Sequence, residues 1–245
     1  MNGDEAYAEA LEIARTDPNV VGFFASGSRG KSAATMASDH DCCMVVFDAV
    51  VSGYKERYTN WHGLDLSVFG LSEFAQHAAI DTKLEWDRYN FAHLTVSVDK
   101  LGGVIQRLVD EKGSLPEAAA RARLGYLDGY INSAYRSLKN ARDGRQLAAL
   151  LDAVESIAPL LTWIFAVHRR LRPYNKYLRW ELEHWPLADL PWGTDEFLDL
   201  LGGTAAGDLV AQKAMFAGVR TMAVRRGLEG VLAVWGDKLA IFAPP

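Results

Sequence analysis

The chain has 245 residues, of which 49% are apolar and 23% charged, and it carries a net charge of −5 at neutral pH. That length accommodates one large domain or two modest ones, and the composition is that of an ordinary globular protein. The acidic balance argues against duplex nucleic acid, which wants a basic face, but leaves room for a local basic pocket that takes a nucleotide.

Cys42 and Cys43 are the two cysteines. Neighbours in sequence cannot staple distant parts of a fold, so they read as reduced core residues of a cytoplasmic protein. The N-terminal stretch is acidic and amphipathic, unlike a signal peptide, and no unbroken run of 18 apolar residues occurs. The expectation is a chain that does not span a membrane.

In chain order, Ala6, Leu11, Ile13 and Ala14 recur at helical spacing over residues 4–16, and Asp17-Pro18-Asn19 ends that helix. VVGFFASGS (Val20 to Ser28) predicts a buried strand running into a turn, and residues 29–38 a short helix or loop. DCCMVVF (Asp41 to Phe47) predicts a second buried strand. A polar stretch follows, SGYKERYTNWHG, and then LDLSVFGL (Leu64 to Leu71) alternates as a third strand. LSEFAQHAA suits a short helix and AHLTVSVDK (Ala92 to Lys100) a fourth strand.

Beyond residue 103 helical patterns take over: 103–111, 116–142, 145–172, 174–184, 194–200 and 206–228, with a competing strand signal only in VLAVWGDKLAIF near the C-terminus. The glycines of DKLGG mark the change. The expected fold is α+β: residues 1–102 form an α/β domain with a small mixed sheet, and residues 103–245 a C-terminal helical bundle.

Asp39 and Asp41 alternate, so in extended chain they point the same way. Two carboxylates at the mouth of a buried strand repel unless a cation sits between them. Asp65 opens the next strand pattern, flanked by Leu64 and Leu66, where a charge is costly unless paired or metal-bound. If the second and third strands are neighbours, three carboxylates converge. Oxygen-only ligation suits Mg2+ completed by substrate phosphates, and two such ions clamp an in-line phosphoryl displacement. The Gly27-Ser28 turn lets backbone N–H groups approach a phosphate, with Arg29 or Lys31 adding charge nearby; the G-x-x-x-x-G-K-[ST] spacing is absent. The bland alternatives are Asp39 capping a turn with Ser38, and Asp65 as an exposed edge residue.

Gly27-Ser28, ten residues, Asp39-His40-Asp41 before an apolar strand, and a later carboxylate at Asp65 form a pattern that resembles the DNA polymerase β-type nucleotidyltransferase superfamily. The likeness covers residues 20 to about 100. The helical remainder is more loosely similar to the C-terminal domains of aminoglycoside nucleotidyltransferases such as the kanamycin and streptomycin enzymes. The resemblance implies transfer of a nucleoside monophosphate, AMP from ATP being favoured, to a hydroxyl of a small acceptor with release of pyrophosphate. It makes Asp39, Asp41 and Asp65 ligands of Mg2+, with two ions expected, and gives the triphosphate to Gly27 and Ser28. An aminoglycoside-like antibiotic is the acceptor it suggests, and antibiotic resistance the role.

In RLGYLDGYINSAYRSLKNARDG (Arg123 to Gly144), Leu124, Leu127, Ile131, Ala134 and Leu138 form a buried helical stripe. Asp128, Asn132, Tyr135, Arg136 and Lys139 form a polar stripe beside it that could line a cleft between the domains. The resemblance places a general base on the helical domain, for which Asp128 is the candidate. Arg136 and Lys139 could meet the triphosphate; the alternative is a solvated helix face. HRRLRPYNKYLRWELEHWP (His168 to Pro186) interleaves cations with aromatics about a break at Pro173. Tyr174 and Lys176 are its candidate nucleotide contacts, against a packed aromatic helix with snorkelling arginines. Glu181, Glu183, Asp195 and Glu196 could supply acidity for a cationic acceptor, and the apolar helical half leaves room for a homodimer. Two further readings remain: a toxin–antitoxin type nucleotidyltransferase acting on a protein or tRNA, and a non-catalytic nucleotide-binding protein. Length and acidity weigh against the first; three carboxylates in order weigh against the second.

Overall fold

The structure, a computed structural model, describes residues 3–36 and 38–243 and is α+β. It divides into two compact units, Met1–Leu115 and Pro116–Pro245.

In the first unit four strands, β1 (Val20–Ala25), β2 (Asp41–Val46), β3 (Asp65–Gly70) and β4 (Val98–Asp99), lie in the order β3-β2-β1-β4. β1 runs antiparallel to β2 and β4, whereas β2 and β3 are parallel, so the sheet is mixed. Helices cover both faces. On one face, α1 (Gly3–Thr16) buries Ala6, Ala10 and Ala14 against Phe23, Met44 and Val46. Alanines one turn apart let the helix backbone approach the strands closely. After β1 comes the single turn α2 (Gly27–Gly30). Parallel pairing of β2 and β3 demands a crossover, and the polar stretch between them forms α3 (Val51–Tyr58). On the second face, Phe74 of α4 (Leu71–Gln76) and Ile105 and Val109 of α5 (Val104–Lys112) cover Val21, Phe24 and Val45.

Two expectations need correcting. The fourth strand pairs over only two residues. Gln106 Oε1 accepts from the Val96 N–H at 2.7 Å and its Nε2 donates to the Leu94 carbonyl at 3.1 Å, taking backbone groups a longer strand would have paired. The division between units falls after Leu115 rather than after residue 102, because Ile105 and Val109 of α5 complete the core of the sheet.

The second unit contains α6 (Glu117–Arg123), α7 (Tyr126–Arg142), α8 (Gln146–Val167), α9 (Leu178–His184), α10 (Thr194–Ala205), α11 (Leu209–Arg225) and α12 (Glu229–Trp235). Its core joins Leu127, Ile131 and Leu138 of α7 to Leu160, Trp163 and Ile164 of α8 and to Phe197, Met215 and Val219. The strand signal near the C-terminus is overridden: those residues form α12 and a 3-10 segment, Gly236–Phe242, whose Phe242 stacks on Phe216 at 3.8 Å. Among the described residues α8 is the one helix long and apolar enough to cross a membrane, but its C-terminal half is core.

Both cysteines are free and buried. Burial, with Asp41 and Asp65 adding to it, pushes the Cys42 thiol up to about 12. Burial also pushes the Cys43 thiol up, against a hydrogen bond with Ser26. Above the unfolded value of 9.0 only the unfolded chain sheds these protons. The stability they contribute is therefore complete below that pH and lost as pH rises. At pH 8 a thiol reagent should label the folded chain far more slowly than the urea-unfolded chain, because burial both keeps the reagent out and holds the thiols protonated. Equal labelling rates would contradict this burial.

Candidate functional site

Asp41 and Asp65 are the first residues of β2 and β3, and they pair directly in the parallel register. Residues in register share a face, so Asp41 and Asp65 stand side by side, followed on that face by Cys43 with Ser67 and by Val45 with Phe69. The strand ends are pinned by Ser26 N–H to the Asp41 carbonyl at 2.8 Å and Asp65 N–H to the His40 carbonyl at 3.1 Å.

The turn after β1 closes over them. Gly27 has φ +55°, and a Cβ added there would lie 1.9 Å from Asp41 Oδ2, so the carboxylate rests directly on the turn's backbone. At Gly30 a Cβ would lie 2.4 Å from the Ala25 carbonyl oxygen. Both glycines are needed for this close approach. Ser28 is buried in the same turn.

Ser26, Gly27, Asp41, Asp65 and Ser67 line a cavity of about 200 Å3 together with Asp87 and Asn90. The last two come from a 3-10 segment, Glu85–Phe91, absent from the sequence reading. Asp87 Oδ2 lies 2.6 Å from His77 Nε2, and Asn90 Nδ2 donates to Asp87 Oδ1. The His77 ring is held 4.9 Å from that of Phe69. Lys31, only 3% exposed, donates to the Asn90 and Ala92 carbonyls at 3.1 and 2.5 Å. Its charge thus ties the glycine turn to the segment that carries Asp87. A second cavity, of about 620 Å3, is lined by Asp65 with Tyr58, Asn60, Leu66 and Val68.

Of the expected residues the structure therefore brings Gly27, Asp41 and Asp65 together. Asp39 is exposed and does not line the cavity. His40 next to it is buried against α1, its Nε2 3.0 Å from Asp4 Oδ1, which fixes the approach to β2. Arg29 bridges the same loop, donating to the Asp39 and Ser38 carbonyls at 3.2 and 3.3 Å. Among the described residues no three His, Cys, Asp or Glu side chains gather into a ready metal cage.

The other candidates belong to the second unit. Asp128 is exposed and its Oδ1 accepts from Trp235 Nε1 at 2.8 Å. Arg136 is bound to Asp152 and, at 2.8 Å, to Glu155; the Asp152 hydrogen bond raises its pKa, so it stays a cation. Lys139 is exposed. The Lys176 ammonium lies 4.8 Å over the Tyr177 ring, whose centroid is 6.5 Å from that of Tyr174. The polar stripe of α7 is thus partly spent on the unit's own packing.

No protein-family model matches the chain, and no curated protein matches it.

Proposed function

We propose that the chain is a Mg2+-dependent nucleotidyltransferase, with ATP the favoured donor and a hydroxyl of a small molecule the acceptor. The observation that carries this reading is the pairing of Asp41 with Asp65 in register beneath a glycine turn that admits no side chain over Asp41. Mg2+ needs only one or two carboxylates when substrate phosphates and water complete its shell, so Asp41 and Asp65 fit it as they stand. Asp39 is the third ligand that the polymerase β-type resemblance adds. Bound there, the ion would neutralise charge on the triphosphate.

In the reaction the acceptor oxygen forms a bond to the α-phosphorus as the bond from that phosphorus to the bridging oxygen of pyrophosphate breaks. The hydroxyl proton passes to a carboxylate, and pyrophosphate leaves. The glycine turn offers backbone N–H groups to the phosphates. The cavity beside Asp65 leaves room for an acceptor, for which the aminoglycoside class is the first choice.

The test is Mg2+-dependent pyrophosphate release from each nucleoside triphosphate with a set of aminoglycosides, the product checked by mass spectrometry for one added nucleoside monophosphate. Release without such an adduct, or none with any donor, would count against the reading. Asp128→Asn separates a base from a packing residue. A base role predicts a fall in kcat of about 100-fold or more with nucleotide affinity unchanged. Parallel losses in both, with a lower melting temperature, would mark Asp128 as the partner of Trp235 alone.

A further inference from the structure

Among the described residues, none covers one apolar face in the first half of α8. Leu147, Leu150, Leu151 and Val154 follow the i, i+3, i+4, i+7 spacing of one helix face, yet they are 71%, 38%, 55% and 48% exposed. The opposite side of the same turns, with Ala149, Ala153 and Ser156, is buried. The patch extends sideways: a Cβ at Gly207 would lie 3.3 Å from Leu150 Cδ1, and beyond it Leu209 and Val210 at the start of α11 are 41% and 67% exposed. Contiguous exposed leucines of this kind mark an interaction surface.

We propose that this face joins two copies of the chain in a homodimer, the two α8 helices crossing antiparallel about a two-fold axis between Leu150 and Leu151. The spacing reads the same from either end, so a reversed copy sets Leu150 against Leu151 and Leu147 against Val154, as an isologous interface requires. Charge selects the same arrangement. At the N-terminal end of the stripe Arg142 and Arg145 outnumber Asp143, to which both are bonded. At the other end the exposed carboxylate is Glu155, and with the buried Asp152, which is bonded to Arg136 and Asn140, it leaves that end one net negative charge. Antiparallel copies bring the positive end to the negative end, and parallel copies would oppose like charges. A lipid surface fits less well, because Glu155, 62% exposed, directly follows Val154 on α8 and would be carried toward the hydrocarbon with it.

The proposal is independent of the nucleotide site. It is tested by sedimentation velocity on the full chain over a wide concentration range, with circular dichroism to verify folding. Wild type should be a reversible dimer. Leu147→Glu and Val154→Lys should each weaken association by more than about 30-fold, as a charge placed in a desolvated anchor does. The two together should restore it, because in the antiparallel pairing the new charges face each other. A wild type that stays monomeric at every concentration overturns the proposal, as does a dimer indifferent to both single variants. A double variant that remains monomeric overturns the antiparallel pairing. A monomer that floats with anionic vesicles and loses this in Leu147→Glu would assign the face to lipid.

Discussion

Asp41→Asn should lower nucleotidyl transfer by about a thousandfold or more while leaving the metal-free fold as stable as wild type. The asymmetry follows from the register. Asp41 and Asp65 are direct cross-strand neighbours, and like charges in that position destabilise a sheet by about 0.2–1 kcal/mol. Removing one charge relieves that repulsion and keeps the side-chain shape. The catalytic loss comes from the ion that the pair would hold, since several kcal/mol of transition-state charge stabilisation, about 4 kcal/mol for three decades of rate, depends on it. Pyrophosphate release and a metal-free melt measure the two halves. Full activity in Asp41→Asn would remove the site assignment, and a collapse of the fold would mean that Asp41 is structural.

Gly27→Ala should damage both stability and nucleotide binding. The left-handed backbone at φ +55° costs alanine about 1–2 kcal/mol by itself. The added Cβ would also occupy a point 1.9 Å from Asp41 Oδ2, so the carboxylate must swing out of the cavity or the turn must open. Gly102→Ala is the matched control: its φ is +63°, but nothing lies within 4 Å of a Cβ there. In urea unfolding Gly102→Ala should lose the backbone cost alone and Gly27→Ala at least as much, and only Gly27→Ala should lose affinity for the Mg2+–triphosphate. Equal affinity in the two would show that the approach of Gly27 to Asp41 has no role in binding.

The strands that frame the site were legible in the sequence because burial on both faces writes an unbroken apolar run, as in β1 and β2. The placement of Asp65 beside Asp41 follows from the neighbouring of β2 and β3, each of which opens on its aspartate. What stayed hidden has no periodic signature. Asp87 and Asn90 sit on a 3-10 segment, and Asp87 meets His77 ten residues away through irregular chain. β4 was overestimated because a side chain, Gln106, replaces strand pairing, which local pattern cannot reveal. Lys31 looked like a charge for phosphate, but its ammonium is committed to two carbonyls. The uncovered face of α8 has no signature of its own in the sequence, because helical spacing reports which residues share a face and not what covers it.

The most direct measurement is a thermal-shift titration of the wild-type chain and Asp41→Asn with ATP, GTP, CTP and UTP, each with and without Mg2+. A ligand that binds only the folded state adds about 2.7 kcal/mol of stability at a hundredfold excess over its Kd. The account predicts a Mg2+-dependent rise for at least one triphosphate in the wild type and none in Asp41→Asn. No shift with any nucleotide, or one that survives both Mg2+ removal and Asp41→Asn, would contradict it.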